Sequence, residues 1–150
     1  MSRVLAVDPG SRRVGVAVSD PSGTIAQPLT ALSADPENTL VERLAALARE
    51  QEATALVVGL PRRLSGRLGP EGQAARGLAD ALRKATGLPV TLVDERLTSA
   101  AAERALLSAG LSRARRRRLS DQVAAALILQ TFLDSGRVKP PGGRRDGGRA

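Results

Sequence analysis

Apolar positions recur along this chain in two rhythms, one of strands and one of helices. RVLAVD (3–8) is a short apolar run cut off by Pro9-Gly10, which predicts a buried strand. VGVAVS (14–19) alternates valine with small residues and stops at Asp20-Pro21-Ser22-Gly23, a strong turn signal. TIAQPLTAL (24–32) predicts a third strand, which Pro28 confines to an edge or cuts short. These three form an antiparallel meander. Asp35 then offers an N-cap and Pro36 a first helical residue, and Leu40, Leu44, Leu47 and Ala48 follow at helical spacing. Residues 36–51 therefore read as an amphipathic helix.

TALVVGLP (54–61) is continuously apolar, as a central strand covered on both faces must be. The Gly- and Arg-rich RRLSGRLGPEG reads as a loop, and a helix follows over 71–85, closed by Gly87 and Pro89. PVTLVDERLTS repeats the opening pattern: an apolar strand (90–93) delivers two acids, Asp94 and Glu95. A helix over about 99–108 comes next. LSDQVAAALILQTFLD makes a last, strongly apolar helix, with Ser120 as N-cap, Asp121 in its first turn and three alanines permitting close approach to a sheet. The order is β-β-β-α-β-α-β-α-α, an α/β fold with a hairpin-led mixed sheet. Residues 1–135 read as one domain, and 136–150, with PPGG and GG, as a basic disordered tail.

The absences restrict the chemistry. Among 150 residues there is no cysteine and no histidine, so zinc-finger, thiol and imidazole chemistry are excluded. The only lysines, Lys84 and Lys139, lie outside any phosphate-loop motif. No stretch has the length of a membrane span or the pattern of a signal peptide, which points to a cytoplasmic address. In an enzyme the reactive groups would then be mostly carboxylates and hydroxyls, and carboxylates suit hard ions such as Mg²⁺ or Mn²⁺. The net charge of +8 is concentrated in two segments. SRARRRR (112–118) carries Arg113, Arg115, Arg116, Arg117 and Arg118 with no acid, and the tail carries four Arg and one Lys against Asp146, so the rest of the chain is close to neutral. Such a pattern fits a polyanionic partner, though basic runs also occur as plain solvated surface. With Phe132 the sole aromatic, a grip on nucleic acid would run through arginines to phosphates rather than through base stacking.

In a sheet of this kind function collects at the carboxyl ends of central strands. Asp8 and the Asp94/Glu95 pair stand at such ends, and Asp121 could join them. Clustered without a cation, three carboxylates repel; with two divalent ions they form a site for phosphodiester hydrolysis. Each acid also has a plainer reading. Asp8 can start a turn, Glu95 can pair with Arg96 or Arg104, and Asp121 can simply sit well near a helix N-terminus.

Taken together, VLAVDPGSRRVGVAVSD, VVGLP, LPVTLVDERLTS and DQVAAALILQTFLD, in this order, closely resemble the YqgF family over residues 3–134. These are small bacterial ribonuclease H-like proteins, described both as Holliday-junction resolvase homologues and as pre-16S rRNA nucleases. The resemblance implies a ribonuclease H-like fold: a five-stranded mixed sheet, the antiparallel meander plus two parallel strands, with flanking helices. It matches Asp8, Glu95 and Asp121 to the family's metal-binding acids, with Asp94 a less favoured neighbour because strand side chains alternate. Arg113 and Arg115–Arg118 fall in the family's basic loop before the last helix, and Arg12 and Arg13 join them as phosphate contacts. Two departures stand out. RRLSG replaces the family's Asn-x-Asp-Gly-like loop, and Ala124 and Ala125 stand where related resolvases carry a fourth acid.

The expected function is metal-dependent endonuclease action on structured nucleic acid, foremost 5′-end processing of pre-16S rRNA, using two Mg²⁺ or Mn²⁺ ions. Branched DNA is the alternative substrate; with monomer and homodimer both open, a strictly monomeric state would weigh against a two-fold junction cutter. A non-catalytic nucleic-acid-binding factor in transcription or ribosome assembly is a second class. A phosphotransferase is a third, disfavoured because such proteins duplicate the unit to enclose ATP.

Overall fold

The computed structural model describes residues 3–61, 65, 67–95 and 113–136, with 113–120 described as backbone alone. Five strands and three helices follow the order β1 (Arg3–Asp8), β2 (Arg13–Ser19), β3 (Ala26–Ser33), α1 (Glu37–Glu50), β4 (Ala53–Leu60), α2 (Pro70–Thr86), β5 (Val90–Asp94) and α3 (Arg113–Asp134). The strands form one sheet in the order β3-β2-β1-β4-β5. β1, β2 and β3 pair antiparallel, whereas β4 runs parallel to β1, and β5 to β4. The predicted mixed sheet is the one observed, and Pro28 lies on the edge strand.

Strand periodicity divides the core in two. Leu5, Val7, Leu56, Val58 and Leu60 face α1 and α2, meeting Leu44, Ala48, Ala79 and Leu82. Val4, Ala6, Ala17, Val57 and Val93 face α3, meeting Ala125, Ile128, Leu129 and Phe132. β1 is buried from Val4 to Val7, as a strand covered on both faces requires. The alternation in VGVAVS now has a cause. Val14, Val16 and Val18 fill the α1/α2 side, and the small Gly15, Ala17 and Ser19 fall on the other, where α3 lies close. Ser19 Oγ accepts a 2.9 Å hydrogen bond from the Val4 N–H beside the register shift between Arg3 and Val4, supplying an acceptor where the regular ladder breaks. Gln130 ties α3 to the β2–β3 turn: its Oε1 accepts from the Ala26 N–H at 2.9 Å, and its Nε2 donates to the Thr24 carbonyl at 3.0 Å.

Most element boundaries lie within one or two residues of those read in the sequence, and two helix starts change the reading of a cap. α1 starts one residue later, with Pro36 as its N-cap rather than Asp35. The Pro36 carbonyl accepts from the Thr39 N–H at 3.1 Å, the Thr39 hydroxyl at 3.0 Å and Arg43 Nη2 at 3.1 Å, and this holds Pro36 extended. α3 begins at Arg113, so the arginine cluster occupies the first turns of a helix and not a preceding loop. Ser120 is consequently no N-cap, and Asp121 is two turns inside. Arginine is a good helix former, and no Gly or Pro interrupts residues 113–134, so nothing locally stops the helix at Ser120. The helix read over 99–108 lies outside the described residues, as do most of RRLSG and the tail beyond Gly136. Among the described residues no helix is long and apolar enough to cross a membrane.

Candidate active site

Asp8 is the last residue of β1, at the carboxyl end of the central strand. It shares a sheet face with Val4 and Ala6, the face that α3 covers. Its antiparallel partner is Gly15, and Gly59 lies one step beyond the Val7–Val58 pair on its other side. Asp8 therefore stands between two glycines, and both are sterically required. A Cβ on Gly15 would run into the Asp121 carbonyl oxygen and come within 3.1 Å of the Asp121 Cα. The missing side chain is what lets α3 descend onto β2 at Asp121. A Cβ on Gly59 would lie 2.7 Å from Ile128 Cδ1, 3.5 Å from Asp8 Oδ1 and 3.7 Å from Glu95 Cδ. Gly59 thus floors the point where Asp8, Glu95 and Ile128 come together.

Glu95 follows directly on β5, and its carboxyl group hydrogen-bonds with that of Asp8. Two carboxyl groups can bond in this way only when one is protonated. The Asp8 pKa is accordingly raised from 3.8 to about 9, first by burial, then by the hydrogen bond and charge of Glu95, then by the charge of Asp121. All three acids thus act on one point, although they come from segments more than a hundred residues apart in the chain's extremes. Asp94 pairs with Leu60. Alternation from Val93 puts it on the α1/α2 face, away from Asp8.

Asp121 is engaged from the other side. Arg13 Nε donates to its Oδ2 at 2.7 Å, closing an ion pair between the start of β2 and α3. Arg12, next in the chain, is exposed, and its carbonyl accepts from the Ala34 N–H at 2.8 Å. The sequence reading of Arg13 as a phosphate contact did not include this partner. It also missed the two glycines; a glycine inside the apolar run VVGL is a signal of close approach that was available. Arg113 and Arg115–Arg118 lead into Asp121 along the α3 backbone. Ala125, at one of the positions of the missing fourth acid, is fully buried against the sheet.

Among the described residues no three acidic side chains are drawn together as a finished cation cage. Asp8 and Glu95 are closed on each other, and Asp121 is closed on Arg13. The donor set nonetheless fits a hard divalent ion by its chemistry: it is all carboxylate oxygen, and one member is kept neutral by burial and crowding where a cation could take the place of the proton.

A five-stranded mixed sheet of this order with helices on both faces is a ribonuclease H-like fold. Solved structures agree on the fold. Thermus thermophilus RuvC in complex with a Holliday junction substrate superposes with TM-score 0.60 at 21% identity, over 93% of this chain and 99% of that one. A second T. thermophilus RuvC structure gives 0.55 at 16% identity, over 92% and 99%. The sequence is more specific. The model of the RuvX family, described as Holliday junction resolvase, matches residues 2–135, and the chain belongs to that family. A Moorella thermoacetica protein is 48% identical over 132 residues, 88% of this chain and 94% of its own length. One from Pelotomaculum thermopropionicum is 46% identical over 149 residues, 97% of each. Both carry the name "Putative pre-16S rRNA nuclease". The YqgF resemblance read from the motifs is thereby the family found.

Proposed function

We propose that this protein is a divalent-metal-dependent endonuclease that hydrolyses phosphodiester bonds in structured nucleic acid, with precursor 16S rRNA as its foremost substrate. The observation that carries the reading is the hydrogen-bonded Asp8–Glu95 pair within the field of Asp121, at the carboxyl end of β1. Burying acids together raises the free energy of the empty site, which is sensible only if something positive is meant to enter.

On this reading Asp8, Glu95 and Asp121 hold two Mg²⁺ or Mn²⁺ ions, and Asp94, on the opposite face, does not. Such ions, when bound, supply Lewis acidity at the phosphate and lower the pKa of the attacking water. The chain's own residues do the rest. Asp8, with its proton released to solvent, would serve as an anionic oxygen donor beside Glu95. Ile128 and the Gly59 floor keep bulk water from that side of the pair. The arginines along the first turns of α3 and Arg12 grip phosphates on either side of the cut without reading bases. On this reading the protein works in the cytoplasm, where its rRNA substrate is found.

The names of the relatives support RNA, and the family description supports a second reading, resolution of branched DNA by the same site. The test is incubation of the purified protein with precursor rRNA and with synthetic four-way junctions, in Mn²⁺, Mg²⁺ or EDTA, beside the Asp8→Asn and Asp121→Asn variants. We expect divalent-dependent cleavage by the wild type, none in EDTA, and binding without cleavage by both variants. Cleavage that persists in EDTA or in the variants would refute the carboxylate site.

A further inference from the structure

Among the described side chains, Arg13 is the sequence-predicted phosphate contact that the structure ties to an acid of the site. Its side chain lies on the α3 face, because Gly15 and Ala17 continue that face along β2. Arg13 is two residues outward from Gly15, the partner of Asp8, so it sits at the rim of the acidic site. The ion pair it makes is half open to solvent, with side-chain exposures of 37% for Arg13 and 30% for Asp121. An ion pair so placed is cheap to break. A guanidinium also cannot share a carboxylate comfortably with a divalent cation, since like charges at short range repel.

We propose, resting on the metal-dependent reading above, that Arg13 is a positioning residue that alternates between two anions. With no cation bound it neutralises Asp121 and holds α3 against the hairpin. When a divalent ion claims Asp121, the guanidinium swings outward from the rim, where it meets a phosphate of the nucleic acid. Cation and nucleic acid are thereby coupled. Each favours the state in which Arg13 has left Asp121, so each tightens the binding of the other. The fold supports the exchange, because the backbone of Arg13 remains anchored opposite Ser33 whichever anion its side chain holds.

The test needs no turnover. Mn²⁺ is titrated calorimetrically into the full chain without nucleic acid, for wild type, Arg13→Gln, Arg13→Lys and Arg12→Gln. Freed from competition for Asp121, Arg13→Gln should bind Mn²⁺ about three- to five-fold more tightly, the worth of one exposed ion pair. Arg13→Lys, which keeps a cation at the rim, should return toward the wild-type value. Arg12→Gln removes the same charge from the neighbouring position without an Asp121 contact and should change the affinity less. A merely structural Arg13 would leave Mn²⁺ affinity unchanged or lowered in Arg13→Gln, and that result overturns the proposal while the metal site stands. An equal gain in Arg12→Gln also overturns it, because a diffuse field and not the ion pair would then be responsible. Absence of Mn²⁺ binding in all four proteins would overturn the metal-dependent reading itself and this inference with it.

Discussion

Replacing Asp8 by asparagine should stabilise the metal-free protein. Asp8 titrates near 3.8 in the unfolded chain and at about 9 in the folded one. The folded state therefore binds the proton more tightly, and the sign follows. Stability from this group is complete below the unfolded value and is lost as pH rises through the window toward about 9. Each pH unit inside the window costs about 1.4 kcal/mol. Between about pH 5 and about pH 8 the ceiling is roughly 4 kcal/mol, and water entry around the pair should bring the observed loss to about 2 kcal/mol. Asparagine is nearly isosteric, always neutral, and still offers an N–H to Glu95. Urea unfolding in EDTA across that range is the assay. The wild type should lose stability steeply with pH. Asp8→Asn should show a flatter profile, meeting the wild type near the acid end and exceeding it by about 2 kcal/mol near the alkaline end. Parallel profiles would refute the reasoning, because they would mean that Asp8 takes up no extra proton on folding. Saturating Mn²⁺ should then restore the wild type, by about 2.7 kcal/mol at a hundred times its Kd, and leave Asp8→Asn unmoved.

Three packing predictions complete the set. Gly15→Ala should destabilise by about 1–3 kcal/mol or more, since the new Cβ meets helix backbone that cannot rotate away, and it should weaken Mn²⁺ binding by shifting Asp121; urea midpoints and calorimetry read both. Gly59→Ala presses on a mobile side-chain end, Ile128 Cδ1, so Ile128→Val should recover part of its roughly 1–3 kcal/mol cost in a double-mutant cycle. Gln130→Ala removes the hydrogen bonds to Ala26 and Thr24 and should cost about 1–2 kcal/mol, with faster amide exchange at Ala26 as its local signature.

Much of the architecture is determined by sequence alone. Alternation in VGVAVS, the unbroken apolar run at 54–61 and the turn residues between them specify strands, their burial and an edge position for Pro28, because side-chain period and proline's missing donor are local properties. Absent cysteine and histidine likewise confine metal ligation to oxygen donors. The length of α3 was not legible: an arginine run reads equally as solvated loop or as helix, and only contacts further along decide. Nor did any local pattern reveal that Gly15 and Gly59 flank Asp8, or that Arg13 takes Asp121 across 108 residues of chain. Those facts depend on which strands become neighbours and how closely one helix settles on them. Residue identity sets what a side chain can do, but distance sets its proton affinity and its partner, and distance between remote segments exists only after folding.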